Sequence, residues 1–162
     1  MINTDKTFCT YENIYYEMWE IAGRYTEIAQ FRVIGKSHDD RMIPMVQIGK
    51  GAETVFCIAG LSGRDRCMPI YLMHMLKEYV KAWECRWKLE NLYDLRVLLE
   101  DWKICFIPLL NPDGYEIYEK DFYAIRNPIY RQMLRMQEIP CKEFICNSRG
   151  VNLRKNFPTQ YY

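Results

Sequence analysis

The amino-acid sequence predicts an α/β domain with strands and helices that pack around one core. Three patterns support this fold class: a hairpin pattern, two continuous apolar and β-prone runs, and apolar residues at helical spacing around them. With 162 residues, of which 49% are hydrophobic, the chain is long enough to bury one core. We therefore expect residues 1–162 to form a single domain.

The first predicted element is an amphipathic helix near the N-terminus. Thr10 is a residue type that caps helices, and Glu12 lies in the first turn that such a cap would start. The following apolar residues recur at helical spacing, which predicts one buried face. These residues are Ile14, Met18, Ile21, Ala22 and Tyr25.

A β-hairpin is predicted next. Residues 31–34 and 43–48 are β-prone, and the stretch 35–41 between them is polar and rich in Asp and Ser. His38 lies in this stretch, and we interpret it as a solvated turn residue rather than a metal ligand.

Two further runs, residues 54–59 and 104–110, are apolar without alternation, which is typical of strands covered on both faces. Pro108 lacks a ladder donor and therefore belongs at the extreme end of the second strand. A helix is predicted after Pro69, and we interpret His74, which lies among its apolar positions, as a packed core residue. The apolar positions of this helix are Leu72, Met75, Leu76, Tyr79, Val80 and Trp83.

The rest of the chain gives weaker patterns. A short helix is expected near residues 93–99, and a turn at the Asn-Pro-Asp-Gly sequence of residues 111–114. Residues 115–137 are helix-prone but interrupted at Asn127-Pro128, and residues 147–162 are polar and loop-like.

Composition excludes some classes of function. Lys and Arg number 22 against 21 Asp and Glu, so no long-range field would gather nucleic acid or an anionic membrane. Seven irregularly spaced cysteines fit reduced thiols better than a disulfide framework, and we interpret the close pair Cys141 and Cys146 as structural. The first residues lack the pattern of a signal peptide, and no apolar run is long enough to span a bilayer, so we expect a cytoplasmic protein.

Functional side chains in α/β sheets gather on loops beyond the carboxyl ends of the strands, here residues 61–68 and 111–115. The sequences IAGLSGRD at 58–65, PLLNPDGY at 108–115 and GVNLRKNF at 150–157 resemble three ordered signatures of the zinc metallocarboxypeptidases, the carboxypeptidase A-like family. The sequence AIRNP at 124–128 further resembles the bacterial branch, which includes enzymes that cut γ-D-glutamyl-diamino acid bonds in cell-wall peptides.

This resemblance implies a partial three-layer, phosphorylase/hydrolase-like α/β fold, in which about four strands form a mixed sheet flanked by helices. It extends over essentially the whole chain but only over the first half of the family's domain, so a truncated domain is expected. In a truncated sheet, the strand at residues 54–59 would have an open, apolar edge, which predicts self-association or pairing with a partner chain. Neither nucleic acid nor a membrane is expected as a partner.

The resemblance also implies where the family's zinc ligands would lie. The family has a His-x-x-Glu loop after the central strand, and this sequence has Ser62 and Asp65 at the two ligand positions. A serine hydroxyl is a poor zinc ligand, and aspartate is one methylene shorter than glutamate. The family's third ligand and its general base belong to the half that is not matched, so we expect neither zinc nor another cofactor.

By the same resemblance, four basic residues fall at substrate positions. Arg64 corresponds to a subsite arginine, Arg126 to the arginine that stabilises the oxyanion, and Arg154 with Lys155 to the Asn-Arg pair that clamps the terminal carboxylate. Lysine holds an anion less directionally than arginine does. Asn152 replaces an aspartate beside the clamp, and plain surface charge is the competing interpretation of Arg64 and Arg126.

Three functions follow as hypotheses. The first is a degenerate, truncated pseudoenzyme without peptidase activity. The second is a zinc-dependent carboxypeptidase or γ-D-glutamyl-diamino acid peptidase that takes its missing ligands from elsewhere. The third is a non-catalytic module that binds anionic peptide ends.

Overall fold

The computed structural model of the chain describes residues 10–89 and 93–158. Within these ranges, no helix combines the length and the apolar character needed to cross a bilayer. The helices are α1 (Tyr11–Arg24), α2 (Cys67–Cys85), α3 (Leu95–Asp101), α4 (Pro112–Lys120) and α5 (Pro128–Arg135), with 3-10 turns at Phe122–Ala124 and Leu153–Lys155. The strands are β1 (Ala29–Lys36), β2 (Met42–Ile48), β3 (Glu53–Ile58), β4 (Lys88–Leu89), β5 (Tyr93–Asp94) and β6 (Trp102–Ile107).

Four strands form the main sheet in the order β1-β2-β6-β3, and β4 pairs with β5 in a small ribbon. The β1–β2 and β2–β6 pairs are antiparallel, whereas β3 and β6 are parallel. This mixed sheet confirms the predicted fold class. One sheet face, with Val46, Ile48 and Phe106, packs with α1, α2 and α3 in the main core. A smaller cluster around Met45, Cys105 and Ile107 is separate from it.

Helix α1 begins after Thr10 as predicted, and Ile14, Met18 and Ala22 of the predicted face are buried. Thr10 is its N-cap, and the Thr10 hydroxyl accepts a hydrogen bond from the Asn13 backbone at 3.2 Å. Helix α2 corrects one interpretation, because His74 is exposed instead of packed in the core. At 100° per residue, His74 lies about 200° around the helix from the buried Leu72, so it faces solvent.

Strand β3 has the predicted position but not the predicted burial. Val55, Phe56 and Ile58 have exposed fractions of 41%, 60% and 46%. In the described part of the chain, β3 pairs with β6 on one side only, so it forms an edge of the sheet. The prediction of a strand covered on both faces was therefore wrong, since apolar composition does not supply the neighbours that cover a strand.

The predicted turn at residues 111–114 is instead the start of a helix. Asn111 is the N-cap of α4, its side-chain oxygen accepts a hydrogen bond from the Gly114 backbone at 3.0 Å, and Pro112 occupies the first turn. Such an Asn-Pro start is favourable because proline needs no backbone donor there. Asn127 and Pro128 start α5 in the same way, which confirms the predicted interruption.

Candidate functional site

The two loops predicted to carry function lie against each other beyond the carboxyl ends of the parallel strands β3 and β6. The backbone N–H of Asn111 donates to the Gly60 carbonyl at 2.8 Å, and the Asn111 side chain donates to the Leu61 carbonyl at 3.1 Å. Gly63 packs so closely on α4 that a Cβ atom there would lie 2.4 Å from the Gly114 carbonyl oxygen. The first loop is thus held directly against the start of α4.

Within this loop, the side chains of Ser62 and Asp65 are occupied by backbone groups. The Ser62 hydroxyl accepts a hydrogen bond from the Arg64 N–H at 3.3 Å. One Asp65 carboxylate oxygen accepts from the Gly60 N–H and the other from the Met68 N–H, both at 3.2 Å. Asp65 therefore satisfies a donor in the first turn of α2, as capping residues do.

These residues do not fit a catalytic zinc site, which needs three protein ligands and an open position. The loop offers one neutral hydroxyl and one carboxylate that is already hydrogen-bonded to backbone. Across residues 10–89 and 93–158, no group of three or more His, Cys, Asp and Glu side chains could hold a metal ion. His38, in the turn after β1, and His74, on α2, are both exposed.

A buried ionic network that the sequence did not reveal lies in the turn between β1 and β2. The Arg41 guanidinium donates to the Asp39 carboxylate at 2.6 Å and to the Asp113 carboxylate at 3.1 Å. The side chain of Arg41 is 5% exposed, and those of both aspartates are 1% exposed. Burial lowers the pKa of Arg41, but the hydrogen bonds and charges of Asp39 and Asp113 outweigh it and raise that pKa, so the guanidinium stays charged.

Further contacts of this network join four segments of the chain. Ser37 and Ser148 donate to the two oxygens of the Asp113 carboxylate at 2.6 and 2.8 Å. Asp39 accepts hydrogen bonds from the backbone N–H groups of Arg126 and Asn127. Every fully buried side-chain nitrogen and oxygen in the described residues has a hydrogen-bond partner. The network thus connects the hairpin turn, the start of α4, the segment before α5 and the segment near residue 148.

The sequence alone does not show which of Asp39 and Asp40 is buried, whereas the backbone conformation does. Asp40 is exposed and adopts a positive φ of 59°, a conformation that Asp tolerates better than most residues. The turn thereby directs Asp39 inward. The spacing of acidic and basic residues in a turn gave no indication of a partner 72 or more positions away.

All four predicted substrate-binding cations are exposed: Arg64, Arg126, Arg154 and Lys155. Arg64 belongs to the loop beside α4, and Arg154 and Lys155 form part of the last 3-10 turn, whose N-cap is Asn152. Arg126 precedes α5 and donates to the Asp40 carbonyl at 3.4 Å. The ion pairs of the described residues include none of these four cations.

The two nearby cysteines pack as apolar residues. Cys141 and Cys146 are partly buried against the cluster of Ile117, Phe122 and Phe144. Burial raises the pKa of the Cys146 thiol, which favours the protonated, unreactive form. This environment is consistent with the structural role expected for the pair.

The mixed sheet, its parallel β3–β6 pair and the loops at their carboxyl ends define a mixed α/β domain with a candidate site at the strand ends. The chain belongs to the zinc carboxypeptidase family, peptidase M14, which matches residues 14–162. The family expected from the three sequence signatures is therefore confirmed.

Individual relatives are distant and longer. Metallocarboxypeptidase A of Trichophyton rubrum is 24% identical over 165 residues, which cover 99% of this chain and 35% of the relative. Metallocarboxypeptidase A of Arthroderma otae is 22% identical with the same coverage. The chain thus spans about a third of the length of the curated relatives it matches.

Solved structures show the same fold. Bovine thrombin-activatable fibrinolysis inhibitor, in complex with tick carboxypeptidase inhibitor, has a TM-score of 0.60 and 15% identity, covering 85% of this chain and 36% of that one. A putative carboxypeptidase A from Shewanella denitrificans has a TM-score of 0.58 and 14% identity, covering 89% and 30% respectively. The predicted closeness to the bacterial γ-D-glutamyl-diamino acid peptidases stays a prediction.

Proposed function

We propose that this chain is a zinc carboxypeptidase-like domain that does not hydrolyse peptides on its own. One observation supports this proposal above the others: the loop at the family's ligand positions carries Ser62 and Asp65, whose oxygens bind the loop's own backbone. Zinc at this loop would compete with the hydrogen bonds of Gly60 and Met68 for the Asp65 carboxylate. Losing such a capping interaction costs about 1 kcal/mol.

Hydrolysis of a peptide by a zinc enzyme requires a metal-activated water and a base to take its proton. Arg126, which lies at the oxyanion position of the family by resemblance, would stabilise developing charge only after such a water had attacked. Because the ligand-position loop offers only one carboxylate, it cannot hold the zinc that would activate a water. The domain therefore has a cation that could stabilise charge but no nucleophile.

Metal analysis of the purified chain tests the proposal directly. The chain is loaded with zinc and dialysed, its metal content is measured, and hydrolysis of peptides with free carboxyl ends is followed. We expect substoichiometric zinc that an Asp65→Ala variant does not reduce, and no hydrolysis. One zinc per chain together with hydrolysis that a chelator abolishes would support the zinc-dependent carboxypeptidase or γ-D-glutamyl-diamino acid peptidase instead.

A second candidate function is binding of anionic peptide ends without chemistry. The exposed positions of Arg64, Arg126, Arg154 and Lys155 favour it, because no described carboxylate competes with a ligand for these cations. A bidentate arginine contact to a carboxylate is stronger and more directional than a lysine contact.

Titration with a short acidic peptide tests this binding. We expect saturable binding that weakens when the terminal carboxylate is amidated and when Arg126 is changed to Ala. Lys50→Ala is the matched control, since it removes one exposed positive charge before the start of β3, at the opposite end of that strand from the loops. No saturable binding, or equal binding by Arg126→Ala and the wild type, would contradict the proposal.

A further inference from the structure

The backbone of Arg126 is fixed by a buried carboxylate from another part of the chain. Asp39 accepts hydrogen bonds from the Arg126 N–H at 2.8 and 3.0 Å and from the Asn127 N–H at 3.0 Å. These two residues are 87 and 88 positions away from Asp39 in the sequence. Because the acceptor is charged and 1% exposed, these bonds are stronger than neutral bonds at the surface.

The same turn holds this segment at two further points. The second guanidinium nitrogen of Arg41 donates to the Ala124 carbonyl at 2.6 Å. The Arg126 side chain donates to the Asp40 carbonyl at 3.4 Å, and its guanidinium remains exposed. The backbone is thus held from the buried side while the charged group faces solvent.

We propose that Asp39 is a positioning residue for Arg126. Its buried carboxylate fixes the backbone from which the Arg126 guanidinium reaches an anionic peptide end. The inference rests on the binding function proposed above, and it identifies a residue for that function that lies outside the four cations. Preorganisation of a binding group raises affinity because less freedom is lost when the ligand arrives.

Asp113 offers a matched control inside the same network. It shares the Arg41 guanidinium with Asp39 and is equally buried. Its remaining described partners are the hydroxyls of Ser37 and Ser148. Asp113→Asn therefore removes one buried charge beside Arg41, as Asp39→Asn does, without changing an acceptor of the Arg126 backbone.

The experiment compares Asp39→Asn and Asp113→Asn in the full chain. Affinity for a short acidic peptide is measured under conditions where both variants are folded, and hydrogen exchange is measured at the Arg126 and Asn127 amides. We expect Asp39→Asn to weaken binding by roughly fivefold or more and to speed exchange at both amides. Asp113→Asn should change both quantities by less than about twofold, although it lowers stability.

A double variant separates positioning from general destabilisation. If Asp39 acts through Arg126, Asp39→Asn should weaken binding little in an Arg126→Ala background. Should Asp39→Asn fail to fold, Asp39→Glu keeps the charge beside Arg41 and displaces the carboxylate by one methylene. This variant should bind more weakly than the wild type and should show faster exchange at the Arg126 amide.

The possible failures are distinguishable. If the wild type binds no peptide, the binding function is wrong and the inference falls with it. If the wild type binds and Asp39→Asn, or Asp39→Glu where the first variant is unfolded, binds equally tightly, the inference alone is wrong. Equal losses in Asp39→Asn and Asp113→Asn would also overturn it, because they would show a structural effect of the network as a whole.

Discussion

The ligand-position loop, residues 62–65, and the buried network of Asp39, Arg41 and Asp113 are two polar groups with opposite properties. The loop is at most partly buried outside Gly63, and the contacts of Ser62 and Asp65 reach no further than neighbouring backbone. The network is almost completely buried and joins segments that are far apart in the sequence. The network therefore joins distant segments of the chain, whereas the loop offers one neutral hydroxyl and one carboxylate, both hydrogen-bonded to nearby backbone.

This contrast has an energetic consequence. Two charges brought out of water must be paired, and removal of one partner leaves the other charge buried without compensation. Hydrogen bonds at a partly exposed loop can be replaced by water at small cost. Substitutions that remove a charge from the network should therefore lower stability strongly, whereas substitutions that remove a side-chain hydrogen bond or an exposed charge from the loop should cost much less.

The largest expected effect follows from Arg41→Met. This change leaves the carboxylates of Asp39 and Asp113 buried without a cation, which should lower the free energy of unfolding by about 3–5 kcal/mol. Arg64→Met, in the loop, is the matched control and should stay within about 0.5 kcal/mol of the wild type, because Arg64 is exposed. Urea unfolding of both variants measures the difference. Equal losses would contradict the contrast between network and loop.

Gly63→Ala tests how tightly the loop is packed on α4. The added Cβ would lie 2.4 Å from the Gly114 carbonyl oxygen, a backbone atom that cannot move away without shifting the helix. We expect a loss of about 1–3 kcal/mol in thermal unfolding. Gly23→Ala in α1 is the control, since nothing lies within 4 Å of its Cβ position, and it should stabilise by up to about 1 kcal/mol. A neutral Gly63→Ala variant would show that the loop is loosely held.

A smaller effect is expected from Tyr11, whose ionisation should make the stability of the fold depend on pH. Burial of the hydroxyl raises the pKa of Tyr11 to about 12, and this hydroxyl donates to the Met42 carbonyl at 2.9 Å. Since the folded pKa exceeds the unfolded value near 10, this contribution is complete below about pH 10 and is lost as the pH rises through about 12. The unfolding midpoint should fall over this range, and less steeply in Tyr11→Phe. Equal slopes would contradict the assignment.

The two edge strands of the sheet, β1 and β3, differ in how readily each could pair with another chain. Strand β1 has an irregularity between Val33 and Gly35, a feature that discourages pairing at an edge, whereas β3 keeps regular register with β6 over its full length. Self-association through β3 stays a prediction from the sequence. If it occurs, Phe56→Lys should reduce the mass measured by light scattering after size exclusion, and Val33→Lys on β1 should not. A monomeric wild type would contradict it.

Some parts of this structure could be predicted because their causes are local. The cap and the apolar spacing of α1 lie within 16 residues, and the hairpin and the Asn127-Pro128 helix start are equally local. The burial of β3 could not be predicted, since it depends on what covers the strand. The Asp39–Arg126 contact was missed for a related reason, because its 87-residue separation leaves no periodic pattern.

The candidate site was predictable only in part. The three signatures identified the family, and the first two follow the carboxyl ends of β3 and β6, which located the ligand-position loop. The role of Asp113 could not be predicted, because the sequence around it resembles an ordinary turn. Its carboxylate accepts hydrogen bonds from Ser37, Arg41 and Ser148, which only the fold brings around it.

The double variant Ser62→His, Asp65→Glu tests whether the loop residues alone prevent hydrolysis, because it places the family's two ligand types in the loop. The chain has two histidines of its own, and both are exposed outside this loop, on the β1–β2 turn and on α2. We expect at most weak zinc affinity and no peptide hydrolysis, since a third ligand and a base are still required. Stoichiometric zinc with hydrolysis that a chelator abolishes would contradict it.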